Sequence, residues 1–89
     1  MIVEIYSRPG CHLCDEAKAL LRSAAERFHF TLVERNVEEN PEWESAYGHQ
    51  VPVVFIDGRK AFKYRIRPAE LEKLLARERE SRQFLEHDK

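Results

Sequence analysis

Cys11 and Cys14 are the only cysteines in the chain, and two residues separate them. That spacing suits a structural bridge, thiol redox exchange or metal ligation. A bridge closing so short a loop is a poor staple. The entropy it removes from the unfolded chain grows with loop length, so it falls below the ~3 kcal/mol of a 15-residue loop. A secreted mini-domain held by disulfides also carries four or more cysteines spread along its sequence. Redox or metal chemistry is left. A zinc-finger reading lacks ligands, because His29 follows Cys14 at a plausible distance but the next histidine is His49. Two cysteines from each of two chains can still complete a four-thiolate site. Iron–sulfur or metal binding is therefore the alternative to redox exchange, and a partner-binding module with a vestigial C-x-x-C is a third reading.

The elements that must position this pair can be read from the pattern. Ile2 to Tyr6 is a short strand of β-branched and aromatic residues, and Ser7-Arg8-Pro9-Gly10 breaks it. Leu13, Ala17, Leu20, Leu21, Ala24 and Phe28 then fall on one face of an amphipathic helix, which puts Cys11 at its N-terminus. Phe30 to Glu34 reads as a second strand, with Phe30, Leu32 and Val33 inward. Strand, helix, strand in this span predicts a right-handed βαβ unit with parallel strands. Asn40 caps a short helix that begins on Pro41 and is closed by Gly48. Val51 to Ile56 is the most apolar run. Asp57-Gly58 turns it into a partner strand from Arg59 to Tyr64. Pro68 starts a last helix with Leu71, Leu74 and Leu75 on its buried face, and the apolar pattern fails beyond Ala76. Phe84 and Leu85 are expected to fold back or meet a partner.

Composition narrows the class. Eighty-nine residues, 43% hydrophobic and 35% charged, suit one small globular domain rather than a disordered chain. No stretch approaches the roughly 20 apolar residues of a membrane span. No basic flank and apolar core precede the first strand, so a cytoplasmic protein is expected. The net charge of −1 argues against general nucleic-acid binding. That total hides an asymmetry. Residues 1–58 carry five basic and ten acidic side chains, and residues 59–89 carry ten and six. Arg59, Lys60, Lys63, Arg65 and Arg67 form a basic stretch with no acid among them.

Over residues 2–76 the chain resembles a glutaredoxin of the thioredoxin-fold superfamily. The resemblance is carried by Tyr6-Ser7-Arg8-Pro9-Gly10-Cys11-His12-Leu13-Cys14 and by Val51-Pro52-Val53-Val54-Phe55-Ile56-Asp57-Gly58. It implies an α/β thioredoxin fold of order βαβαββα, a four-stranded mixed sheet flanked by helices. The domain would span residues 1–76, with 77–89 a charged helical extension or tail. It also implies a cis Val51-Pro52 bond facing the cysteines, where residue 51 offers its backbone to an extended substrate.

The activity implied is that of a thiol–disulfide oxidoreductase serving cell redox homeostasis. A thiolate, not a thiol, attacks a disulfide. Unpaired N–H groups and the positive dipole end at a helix N-terminus both favour the anion. Cys11 is then the nucleophile and Cys14, one turn inside, the resolving thiol. Arg8 adds positive charge nearby. His12, directly beside the nucleophile, either steadies the thiolate when protonated or is a solvated first-turn residue. Glu4 is expected at a strand end or partly exposed, and Trp43 and Tyr47 in the core or a groove.

One departure stands out. Typical glutaredoxins hold glutathione with a basic residue before the C-x-x-C, the Val-Pro segment, and a Gly-Gly followed by an acid. Here the third is replaced by Phe62-Lys63-Tyr64-Arg65-Ile66-Arg67-Pro68. Arg65 and Arg67 can substitute by pairing with carboxylates, steer an acidic partner, or simply guard an edge strand. The expected partners are disulfide-containing proteins or glutathione as co-substrate, with a thiol reductase system. The chain is expected to act as a monomer with no permanently bound cofactor or metal.

Overall fold

The structure, a computed structural model, describes the backbone of residues 1–87 and side chains through Arg79. Its elements are β1 (Ile2–Ser7), α1 (His12–Phe28), β2 (Thr31–Asn36), a 3₁₀ turn (Val37–Glu39), α2 (Pro41–Tyr47), β3 (Val53–Ile56), β4 (Arg59–Lys63) and α3 (Pro68–His87). The four strands form one mixed sheet in the order β2-β1-β3-β4. β1 runs parallel to β2, with Val3 opposite Leu32, and antiparallel to β3, with Tyr6 opposite Val53. The C-terminal end of β1 therefore lies beside the N-terminal end of β3. This register sets the loop holding Cys11 and the Val51-Pro52 segment at the same end of the sheet.

Period-two alternation sends Val3, Ile5 and Ser7 of β1 to one face and Glu4 and Tyr6 to the other. On the first face, Val3, Ile5, Val54, Ile56 and Phe62 pack with Ala17, Leu21 and Ala24 of α1 and Leu71 and Leu75 of α3. Full burial of a side chain such as Leu21 or Leu75 contributes about 1.5–3 kcal/mol. On the second face Tyr6 makes ring contacts with Trp43 and Tyr47 of α2 and Phe55 of β3, at centroid distances of 4.4–5.7 Å. Arg35 reaches over the Trp43 ring at 5.4 Å and pairs with Glu4 at 3.0 Å. Glu4 is thus partly exposed on a central strand and neutralised from the neighbouring one. Burial, followed by the charge of Glu4, raises the Tyr6 hydroxyl above its ordinary pKa.

Several boundaries differ from the sequence pattern. Phe30 is buried just before β2, which begins at Thr31 and continues past Glu34 to Asn36. Its ladder with β1 extends to Ser7 opposite Asn36, and this pairing outlasts the hydrophobic run. Leu32 packs against the core, whereas Val33 is only partly buried. The 3₁₀ turn places Val37 fully inside, capped by the Asn36 side chain on the Glu38 N–H at 2.9 Å. β3 begins at Val53 because Pro52 has no N–H for the ladder. β4 ends at Lys63 because Tyr64 takes a left-handed φ of 68°.

The other punctuation follows the sequence. Asn40 accepts from the Glu42 N–H at 2.9 Å at the head of α2, with Pro41 in its first turn. Asp57 and Gly58, at φ of 47° and 83°, make the type I′ hairpin turn. Asp57 also ties that turn to β1: its carboxylate accepts from the Ile2 N–H, and its own N–H donates to the Ile2 carbonyl, both at 2.8 Å. α3 continues as one helix to His87, through the charged segment where its apolar pattern fails. The side chains of Phe84 and Leu85 lie outside the described residues.

Candidate active site

The strand-to-helix junction after β1 builds the site. Gly10 turns the chain at φ 75°, and Cys11 follows in extended conformation as the N-cap of α1. An N-cap side chain accepts a hydrogen bond from an N–H of the first turn, a role serine and threonine usually fill. Here the acceptor is sulfur, with the Cys14 N–H donating to Cys11 Sγ at 3.2 Å. The Cys11 carbonyl takes the Asp15 N–H at 3.1 Å, so the first turn is closed around the cysteine. The sulfur thus sits where the helix presents its unpaired donors and positive dipole end.

Both cysteines are free thiols, and their exposure differs. Cys11 is partly exposed, whereas Cys14 has none of its surface in contact with solvent. Burial, reinforced by the hydrogen bond with Cys11, pushes the Cys14 thiol up to about 11. A backbone hydrogen bond from Arg8 and the charge of Lys18 oppose that rise without cancelling it. The arrangement therefore offers one accessible sulfur that accepts a backbone N–H and one sheltered sulfur that holds its proton. Three residues apart on a helix, the two are neighbours.

The remaining predicted residues divide into two groups. The Val51-Pro52 peptide bond is cis, as the resemblance implied. Pro52 is buried, and its carbonyl accepts the Tyr64 N–H at 2.9 Å. Among the described residues nothing pairs with the N–H or C=O of Val51. Arg65 lines a small cleft beside the cysteine helix, together with Leu13, Ala17 and Ile66.

His12, Arg8 and Arg67 are engaged elsewhere. His12 is 87% exposed and lies 3.2 Å from Glu16, one turn along α1. Arg8 extends its guanidinium to the far side of the loop, bonding Glu44, the Gly48 carbonyl at 3.0 Å and Glu38 at 3.4 Å. These partners hold the cation on α2 and the 3₁₀ turn. Arg67 pairs with Glu70 at 3.3 Å at the start of α3 and does not line the cleft that holds Arg65.

Three residues contribute in ways the sequence reading did not show, Gly48 among them although it closes α2 as expected, its N–H on the Glu44 carbonyl at 2.9 Å. Ser7, 3% exposed, donates to the Arg35 carbonyl at 3.3 Å and anchors the start of the cysteine loop. Gly48 is not a left-handed cap, since its φ is −53°. A Cβ there would come within 2.5 Å of the Glu44 carbonyl and 2.9 Å of Arg8 Nη2, so glycine lets the end of α2 and the guanidinium close on each other. Its isolation between a short helix and an apolar strand was the available signal. Tyr64 adopts a conformation that sequence propensity assigns to glycine, and nothing local announces it.

Among the described residues no group of three His, Cys, Asp or Glu side chains is placed to hold a metal ion. No described helix is long and apolar enough to cross a membrane.

Comparison with known proteins agrees with this architecture. The model of the glutaredoxin-like domain family (DUF836) matches residues 2–76. A curated relative, the glutaredoxin-like protein YDR286C homolog of Dictyostelium discoideum, is 33% identical over 72% of this chain and 65% of its own length. The chain thus spans just under two thirds of that relative. Among solved structures, a structural-genomics target from X. campestris superimposes with a TM-score of 0.69 at 29% identity, covering 83% of this chain and 95% of that one. The protein Ne2328 from Nitrosomonas europaea gives 0.68 at 28%, covering 81% and 87%. A thioredoxin from Halobacterium salinarum matches in fold alone, with a TM-score of 0.61 at 24% identity over 83% of this chain and 70% of that one. With a C-x-x-C at the head of α1 and a cis-proline opening β3, the chain belongs to the glutaredoxin-like domain family and has the thioredoxin fold.

Proposed function

We propose that the protein is a dithiol oxidoreductase that reduces disulfides of proteins or small molecules. The observation that carries this reading is the Cys14 N–H donating to Cys11 Sγ at the helix head, with Cys14 itself fully buried one turn inside. In the first step the Cys11 thiolate attacks one sulfur of the substrate disulfide. A new S–S bond forms to Cys11, the substrate bond breaks, and the second substrate sulfur leaves as a thiolate. In the second step Cys14 gives up its proton and attacks Cys11 Sγ. The mixed disulfide breaks, the first substrate sulfur leaves and is protonated, and the protein holds a Cys11–Cys14 disulfide. Two electrons have passed to the substrate. A thiol reductant, either glutathione or a thiol reductase system, restores the dithiol.

Substrate is received on the open backbone of Val51 beside Pro52, as an added strand, with Arg65 at the neighbouring cleft. The backbone N–H and the positive dipole end at the helix head steady the thiolate. Arg8 acts through the loop, since its guanidinium is committed to α2.

The test is a trap. Cys14→Ser exposed to a disulfide-bearing extract should accumulate mixed disulfides on Cys11 that dithiothreitol releases, while Cys11→Ser should form none. Equal absence of adducts in wild type, Cys14→Ser and Cys11→Ser would overturn the reading. A purified protein carrying stoichiometric iron with visible absorbance would favour the cluster-binding alternative instead.

A further inference from the structure

The five cations of the stretch 59–67 are not equivalent. Arg59 approaches Glu78 at 4.0 Å, Lys60 donates to Gln50 at 3.0 Å, and Arg67 pairs with Glu70. Among the described residues Lys63 and Arg65 meet no carboxylate. They flank Tyr64, whose backbone explains where they point. The Arg65 N–H donates to the Lys63 carbonyl at 2.8 Å across a Tyr64 φ of 68°, which makes a positive-φ γ-turn. That form is rare and strained for a residue with a Cβ, and it persists only where the surroundings hold it. They do so here: the Tyr64 N–H is fixed to the carbonyls of Pro52 at 2.9 Å and Gln50 at 3.3 Å. The turn is therefore rigidly coupled to the segment that offers Val51 to substrate.

Its shape favours one kind of occupant. Tyr64 is 46% exposed, with the Lys63 ammonium 5.7 Å from its ring centre. Beside it, a cleft of about 130 Å³ runs between the turn and α1, with Leu13, Leu20 and Ile66 in its lining and exposed Tyr64 and Arg65 at its mouth. Ligand pockets for whole small molecules are roughly 300–1,000 Å³, so this one suits a single side chain. Glu16, the one acid in the lining, faces His12 at 3.2 Å. Leu13 belongs to the C-x-x-C itself, so the cleft lies against the first turns of the helix that carries the reacting sulfur.

The geometry points to a specificity site for protein disulfides: the cleft takes an apolar side chain flanking the target cysteine, and Arg65 with Lys63 takes a neighbouring carboxylate. This rests on the oxidoreductase reading above and names its substrate class, an acidic and apolar peptide segment rather than a small thiol.

The test uses three probes with the purified full chain. One peptide carries leucine and two glutamates around a cysteine in mixed disulfide with 2-mercaptoethanol, and a second replaces the glutamates with lysines. The third is uncharged bis(2-hydroxyethyl) disulfide. Wild type is expected to reduce the acidic peptide about tenfold faster than the lysine peptide at low salt, the advantage shrinking as salt screens it. Arg65→Glu, checked for folding by thermal melting, should reverse the ratio, and Lys63→Glu should move it the same way. Equal rates in wild type, or a ratio unmoved by both variants, would overturn the specificity site while leaving the redox reading intact. No reaction with any probe, the uncharged disulfide included, would overturn both.

Discussion

Arg8 donates to the carbonyl of Gly48 at 3.0 Å, joining the loop that precedes Cys11 to the turn that precedes Val51-Pro52. The two halves of the site thus share a fastening forty residues apart in sequence. Gly48 has an ordinary helical φ of −53°, but a Cβ there would come within 2.5 Å of the Glu44 carbonyl and 2.9 Å of Arg8 Nη2, so alanine meets both the end of α2 and the guanidinium. Gly48→Ala and Arg8→Ala should each lower the denaturation midpoint. The double variant should keep the cost of the clash with the Glu44 carbonyl but count the shared Arg8 contact once, so it should be less destabilised than the sum of the two single variants. A double-mutant cycle by urea unfolding measures this, and simple additivity would separate the two residues.

Cys14 couples stability to alkaline pH. Its thiol is raised to about 11 in the folded protein, first by burial and then by its hydrogen bond with Cys11. In the unfolded chain it returns to the ordinary value near 8.5. A group that holds its proton more tightly when folded stabilises fully below the unfolded value, and this contribution is lost as pH rises through the folded one. The reduced protein should therefore weaken between about pH 8.5 and 11. Cys14→Ala should flatten that part of the profile, as measured by urea midpoints at a series of pH values.

In the proposed dithiol mechanism the same proton governs resolution of a mixed disulfide. At pH 7, a thiol titrating at about 11 is thiolate on the order of one time in 10⁴. Once Cys11 is engaged with substrate, its hydrogen bond and charge no longer act on Cys14, but burial, the leading cause, remains. Release of the substrate sulfur held on Cys11 should accordingly rise about tenfold per pH unit above neutrality and break above the ordinary thiol range. Stopped-flow measurement of that step tests it. A rate independent of pH between 7 and 9 would mean that another group takes the Cys14 proton.

The order of elements was legible because each signal was local and redundant. Asn40-Pro41 and Asp57-Gly58 encode their cap and turn in adjacent residues, and α1 carries its stripe over four turns. Cys11 and Cys14 were legible for the same reason, since spacing and helix head suffice. What escaped depends on distant partners. Arg8 reads as a charge near the thiolate until Glu38, Glu44 and Gly48 are folded against it. Tyr64 opposes its own propensity because two carbonyls from the Gln50–Pro52 segment hold its N–H.

Val37 shows the same limit in the core. It follows β2 in a run of polar residues and yet is fully buried, because the 3₁₀ turn capped by Asn36 swings it inward. Val37→Ala should cost about 1.5–3 kcal/mol, the burial value of the side chain with the cavity it leaves. Urea unfolding should show a lower midpoint with unchanged slope. A change within about 0.5 kcal/mol, typical of surface sites, would mean that the turn closes over the gap.

Tyr64 offers the sharpest test of backbone strain. A residue with a Cβ in the left-handed region costs roughly 1–2 kcal/mol, and glycine removes that cost at the expense of about 0.5–1 kcal/mol of unfolded-state freedom. Tyr64→Gly should therefore leave stability unchanged or raise it by up to about 1 kcal/mol, despite losing the ring beside Lys63. Tyr64→Val should lower stability by about 1–2 kcal/mol, because branching at Cβ worsens the same clash. Both variants keep the backbone N–H that Pro52 accepts, so the comparison isolates φ from the hydrogen bond. Thermal and urea unfolding of the pair decide it. If glycine destabilises as much as valine, the ring and not the turn holds this segment against the Gln50–Pro52 carbonyls.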